Sequence, residues 1–152
     1  CNHCPYVTGS DELTRKVAEE FSKNTRFVAI NSNSRNTYEE DSYENMTVRM
    51  EEFNFPWIYL HDESQKIAQS FGALKTPHFF IFDQNWNLLY TGRNTDNPRD
   101  TELRKTDDLH DALVQAVTGV NITVPITNPI GCNIKWDGKP AHWMPAEACD
   151  LI

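Results

Sequence analysis

Apolar residues recur along this chain with two alternating periods, and the alternation predicts a layered α/β protein. Leu13, Val17 and Phe21 fall every fourth residue, which puts them on one face of a helix running to about Lys23, with Asn24 as a stop. Phe27-Val28-Ala29-Ile30 is a short unbroken apolar run, the pattern of a strand buried on both faces. After a polar stretch, Asp41 and Glu44 have the spacing of a capping box, and Met46, Met50 and Phe53 mark the apolar face of the helix behind it. Pro56 interrupts the pattern. Trp57 to Leu60 reads as a strand, and Ile67, Ala68 and Phe71 form a helical stripe closed by Gly72. His78 to Phe82 and Leu88 to Thr91, joined by a polar turn, predict a hairpin. Leu109, Ala112, Leu113, Ala116 and Val117 give a last helix ended by Gly119. The order builds a mixed sheet with helices on both faces. Beyond Val120, four prolines and little periodicity predict an irregular tail packed on the domain.

With 152 residues, 39% of them apolar, the chain is long enough for one domain with one core. Its net charge of −8 and the lack of any Lys/Arg-rich block argue against nucleic acid or an anionic membrane as partner, since phosphates need clustered positive charge. No apolar stretch approaches the roughly 18 residues of a membrane-spanning helix. The compartment, cytoplasmic or periplasmic, is not fixed by these residues.

The chemistry concentrates at Cys1-Asn2-His3-Cys4-Pro5. Cys1 to Tyr6 reads as the start of a helix. Two cysteines three residues apart on a first turn can close a small disulfide ring. There the unpaired backbone N–H groups and the helix dipole lower a thiol pKa. On this reading Cys1 is the nucleophile and Cys4 the resolving thiol of a disulfide-exchange cycle. His3 and Asn2 sit between them. An imidazolium at His3 would further favour the thiolate and make the disulfide a stronger oxidant. The competing reading of a C-x-x-C pair is half of a metal site, but such sites need a second Cys/His pair at close spacing, which is absent. A second signal is Lys75-Thr76-Pro77-His78, just before a strand. A cis peptide at Pro77 would turn the Thr76 backbone toward the cysteines, where it could pair with an extended substrate chain.

These motifs together resemble the thioredoxin-like redoxin family of peroxiredoxin-like (AhpC/TSA-related) proteins. The resemblance lies in Cys-Asn-His-Cys-Pro-Tyr-Val at 1–7, Val28-Ala29-Ile30-Asn31-Ser32-Asn33, Glu40-Asp41-Ser42 and Phe71-Gly72-Ala73 running to Thr76-Pro77. It continues through Phe80-Ile81-Phe82-Asp83, Tyr90-Thr91-Gly92-Arg93 and Gly131-Cys132-Asn133-Ile134-Lys135-Trp136. What it implies is a thioredoxin fold with a C-x-x-C centre facing a cis-Pro loop formed by Thr76 and Pro77. It also implies an N-terminally truncated chain. The central strand of the sheet would precede Cys1, between the Phe27–Ile30 and His78–Phe82 strands, so 1–119 would form a redoxin domain without its first strands and 120–152 its tail. A chain so truncated is expected to be unstable alone. Some relatives carry a cysteine where Lys75 stands, and the Pro/Thr peroxidase signature would lie upstream of Cys1.

The function expected is thiol–disulfide exchange through a Cys1–Cys4 dithiol, with a protein or small-molecule disulfide or thiol as partner and no cofactor beyond the redox-active disulfide. Thiol-dependent peroxidase activity, antioxidant in effect, is an alternative. A copper or zinc metallochaperone is a second, with His110 or His142 as the distant ligand. Cys132 reads either as a third redox thiol or as a buried anchor of the tail, and Cys149 as its partner in an oxidising compartment. Arg93, after a strand end, reads either as an anion stabiliser facing the site or as a solvated surface residue. Glu39-Glu40-Asp41 reads as a solvated loop, and the four tryptophans as packing residues.

Overall fold

A computed structural model of the chain describes residues 1–140 together with His142 and Trp143; Cys149 lies outside them. The elements run α1 (Pro5–Thr8), α2 (Asp11–Glu20), β1 (Val28–Asn31), a 3-10 turn at Glu39–Asp41, α3 (Tyr43–Phe53), β2 (Ile58–His61), α4 (Lys66–Phe71), β3 (Lys75–Thr76) and β4 (Phe79–Phe82). Then come β5 (Leu88–Gly92), a second 3-10 turn at Thr101–Leu103, α5 (Asp108–Thr118) and β6 (Cys132–Asn133).

Most of these follow the apolar pattern. Val17 and Phe21 of the α2 stripe and Leu109, Ala112 and Leu113 of α5 are buried together with Ile81 of β4 and Tyr90 of β5. This cluster is the main core, rimmed by Phe27, Phe79, Leu89, Ala116 and Ile122. Gly72 and Gly119 end α4 and α5 in the left-handed region, at φ 63° and 75°, where a side chain is disfavoured. A second cluster joins Ala68 of α4 to Ile134 and Trp136, so the segment after β6 seals the opposite side.

The strands form three two-stranded ladders: β1 with β2, parallel; β4 with β5, antiparallel with an irregularity at Ile81/Phe82; and β3 with β6, antiparallel. Among the described residues no ladder joins β1 to β4. The Phe27–Ile30 run is therefore not buried on both faces: Val28 and Ile30 are 50% and 36% exposed, and Ile58 and Leu60 of β2 lie open beside them. The residues after α5 are also more ordered than expected. Thr91 exchanges backbone hydrogen bonds with Pro125 and Thr127, which lays this stretch beside β5 before it crosses to β3.

Two local expectations are corrected. Ser42, not Asp41, caps α3: the Asn45 N–H donates to Ser42 Oγ at 3.4 Å. Asp41 is fully buried rather than solvated. And α1 begins at Pro5, so Cys1 precedes the helix instead of standing in its first turn. Proline explains this register. It has no N–H to lose at the first helical position, and it pushes the residue before it out of the helical region. Cys4 accordingly is extended, at φ −66° and ψ 124°, and forms the N-cap.

Candidate functional site

Three sulfurs gather around Thr76. Cys1 Sγ lies 3.4 Å from Thr76 Oγ1, and Cys4 Sγ lies 3.1 Å from the Thr76 carbonyl oxygen. Cys132 arrives from the other side on β6, opposite Thr76 in the ladder, with its sulfur 2.8 Å from Cys4 Sγ. All three are free thiols. The Thr76–Pro77 peptide is cis. Cys4 is fully buried, whereas Cys1 and Cys132 are half-buried.

Asp41 holds the Cys1–Cys4 segment in place. Its Oδ1 accepts the Asn2 N–H at 2.6 Å, and its Oδ2 accepts Asn33 Nδ2 at 2.7 Å. Asn2 is fastened further: its Nδ2 donates to the Glu40 carbonyl at 2.7 Å, and its Oδ1 accepts the Tyr59 hydroxyl at 2.8 Å. Burial and the nearby Asp41 charge push the Tyr59 phenol well above its ordinary pKa, so it remains a donor. His3 stacks on Tyr38 with ring centroids 4.4 Å apart. Its Nδ1 lies 2.8 Å from Asp41 Oδ2 but off the line of a hydrogen bond. Asp41 is thus the carboxylate in direct contact with His3. Asn2 touches no sulfur; it positions the segment.

The same polar network reaches the strand that carries Cys132. Asn33 Oδ1 accepts the Lys135 N–H at 2.9 Å, Ser34 N–H donates to the Lys135 carbonyl at 2.8 Å, and Gln65 Nε2 donates to the same carbonyl at 2.9 Å. Asn31, Ser32, Asn33 and Ser34 are all buried, and each finds a partner, as buried polar groups must. Asp41 and this network escaped the sequence reading. The available signal was a run of small amide and hydroxyl residues directly after an apolar strand, a position where a plain loop would not need so many donors.

The thiols differ electrostatically. Burial disfavours a thiolate at Cys4, but hydrogen bonds from Cys132 and Thr76 outweigh it, and the Cys4 pKa falls below its ordinary value. Burial, and then the hydrogen bond and charge of Cys4, push Cys132 up to about 11. Of the two thiols, Cys4 is therefore the one that gives up its proton more readily. The thiolate is favoured at Cys4 mainly through a neighbouring thiol and Thr76, and the Tyr6 N–H in the first turn of α1 adds to it.

Arg93 is not brought to this cluster. Its Nε pairs with Asp108 Oδ2 at 2.8 Å, and its N–H donates to Thr127 Oγ1 at 3.0 Å, so it ties β5 to α5 and the following segment. His110 pairs with Glu20 at 3.1 Å on the far helices. Exposed His142 gives its carbonyl to Asn133 at 3.4 Å. Among the described residues, the group best suited to hold a metal is Cys1, His3 and Asp41, whose ligand atoms lie within 4.8 Å of one another. Thiolate, imidazole and carboxylate together suit zinc. Here, however, the Asp41 oxygens already serve Asn2, Asn31 and Asn33.

Comparison with known proteins places the fold. The Redoxin family model matches residues 1–110. An uncharacterized conserved protein from Geobacillus kaustophilus superposes with a TM-score of 0.84 and 36% identity, over 92% of this chain and 75% of that one. A hypothetical protein from Sinorhizobium meliloti 1021 gives 0.83 and 31%, over 91% and 76%. No curated protein sequence matches the chain. The fold is thioredoxin-like, and the chain belongs to the Redoxin family, a family of thiol-based redox proteins.

Proposed function

We propose that the protein is a thiol–disulfide oxidoreductase working through Cys1 and Cys4, with no cofactor beyond the disulfide they form. One observation carries this reading: both sulfurs converge on Thr76, beside the cis proline, at 3.4 Å through its hydroxyl and 3.1 Å through its carbonyl. Cys1 is the less buried residue of this pair, so its thiolate attacks the substrate disulfide and expels one thiolate, leaving a mixed disulfide. Cys4 then attacks the Cys1 sulfur, closes the Cys1–Cys4 disulfide and releases the second thiol. The lowered pKa of Cys4 favours the thiolate that this second attack needs.

The occupied ladder narrows the substrate. The strand of Thr76 is already paired with Cys132 and Asn133, so an extended peptide finds that edge taken. A small disulfide reaches Cys1 without needing it. A peroxide would take the same first attack and leave a sulfenic acid that Cys4 condenses with. Turnover of bis(2-hydroxyethyl) disulfide and of hydrogen peroxide, measured at equal concentration, separates the two. The reading expects faster disulfide turnover, reduced to background in Cys1→Ser and stalled at the mixed disulfide in Cys4→Ser. A wild-type rate in Cys1→Ser would refute it.

A further inference from the structure

We propose that Cys132 is a third redox thiol, which takes the disulfide from Cys1–Cys4 by attacking Cys4 and so returns Cys1 to its free form. The inference rests on the exchange reading above and adds a residue and a step to it.

The geometry singles out Cys4 as the shared sulfur. Cys4 Sγ is 2.8 Å from Cys132 Sγ, against about 2.05 Å in a formed disulfide, so closing the bond asks for less than about 1 Å of movement. The approach is built in, not incidental. β6 is hydrogen-bonded to β3 with Cys132 opposite Thr76, the same residue that holds Cys1 and Cys4. Directly before it, Gly131 passes so close to the cis-proline loop that a Cβ there would sit 2.2 Å from the Thr76 carbonyl oxygen. Only glycine allows that proximity. Directly after it, Lys135 is clamped by Asn33, Ser34 and Gln65, and Ile134 and Trp136 are buried against α4. A structural thiol would need none of this alignment on another sulfur.

The step balances within the chain. The Cys132 sulfur, losing its proton, attacks Cys4 Sγ; the Cys4–Cys132 bond forms, the Cys1–Cys4 bond breaks, and Cys1 leaves as a thiolate that takes up the proton. No electrons enter or leave. Cys1 and Cys132 are both half-buried, whereas Cys4, the sulfur they share, is buried. The relay thus separates the two partners: the substrate disulfide meets Cys1, and an external dithiol resets the enzyme by attacking Cys132 and expelling Cys4.

Peptide mapping of the full chain tests this. The reduced protein is oxidised with a single equivalent of bis(2-hydroxyethyl) disulfide, its remaining thiols are alkylated, and it is cut with trypsin. Residues 1–15 then hold Cys1 and Cys4, 106–135 hold Cys132, and 136–152 hold Cys149. The expected result is a Cys4–Cys132 link between the first two peptides, with Cys1 alkylated. In Cys132→Ala that link is lost and the disulfide moves into peptide 1–15. The wild-type map needs no variant, so a misfolded Cys132→Ala leaves the test intact. Cys1–Cys4 as the sole final product, or Cys132 bound to Cys149, overturns the relay while leaving the exchange reading standing. All three thiols alkylated would overturn both.

Discussion

His78 follows Pro77 directly and ties the loop carrying Thr76 to β5. The Leu74 N–H donates to its Nδ1 at 3.2 Å, which fixes Nδ1 as the acceptor and leaves Nε2–H to donate to Thr91 Oγ1 at 3.0 Å. Protonation would place a hydrogen on Nδ1, facing the Leu74 N–H. Burial lowers the His78 pKa from 6.5 to about 4. The unfolded chain therefore binds a proton that the folded one refuses between about pH 6.5 and about pH 4. Across that window stability falls as pH falls. The full gap corresponds to about 3 kcal/mol, and the part between about pH 7 and about pH 4.5 to about 2 kcal/mol. Urea unfolding of wild type and His78→Gln at both pH values isolates it, because the carboxylates titrate alike in the two proteins. The wild-type advantage should shrink by about 2 kcal/mol on acidification. An advantage independent of pH, or a His78 ring proton titrating near its unperturbed value by NMR, would refute the reasoning.

Other substitutions test the supports of the site. Gly131→Ala drives a Cβ into the Thr76 backbone and should push β6 away from β3, read as faster alkylation of Cys132 and loss of its link to Cys4. Asp41→Ala leaves the Asn2 N–H and the Asn33 amide without their buried acceptor; it should cost about 3 kcal/mol or more in denaturant unfolding, with Asp41→Asn milder. Ser42→Ala removes the α3 cap and should cost about 1 kcal/mol in the same assay while sparing disulfide turnover.

What was legible in the sequence is what local pattern determines. The α2 and α5 stripes and the β4–β5 hairpin repeat their apolar period over enough residues to fix element and buried face. The Cys1–Cys4 spacing and Thr76-Pro77 stood out as two separate segments of a candidate site, and the structure brings them within contact distance. What failed depended on a single residue or on distant partners. The helix start moved from Cys1 to Pro5 because proline at the first helical position outweighed the pattern behind it. The cap moved one position because Asp41 is drawn inward by Asn2 and Asn33. Arg93 found Asp108, fifteen positions along, through the fold and not through any motif. The approach of Cys132 to Cys4 spans 128 positions and rests on a two-residue ladder, which no periodicity can announce.

The central claim is that Cys1 receives the substrate and Cys4 resolves it. Intact-mass measurement after exposure to a single equivalent of bis(2-hydroxyethyl) disulfide tests this most directly. Cys4→Ser should accumulate one stable hydroxyethylthio adduct, located on Cys1, whereas the wild type should pass through that adduct and end without it. An adduct located on Cys132 with Cys1 untouched, or one that persists equally in the wild type, would contradict the account.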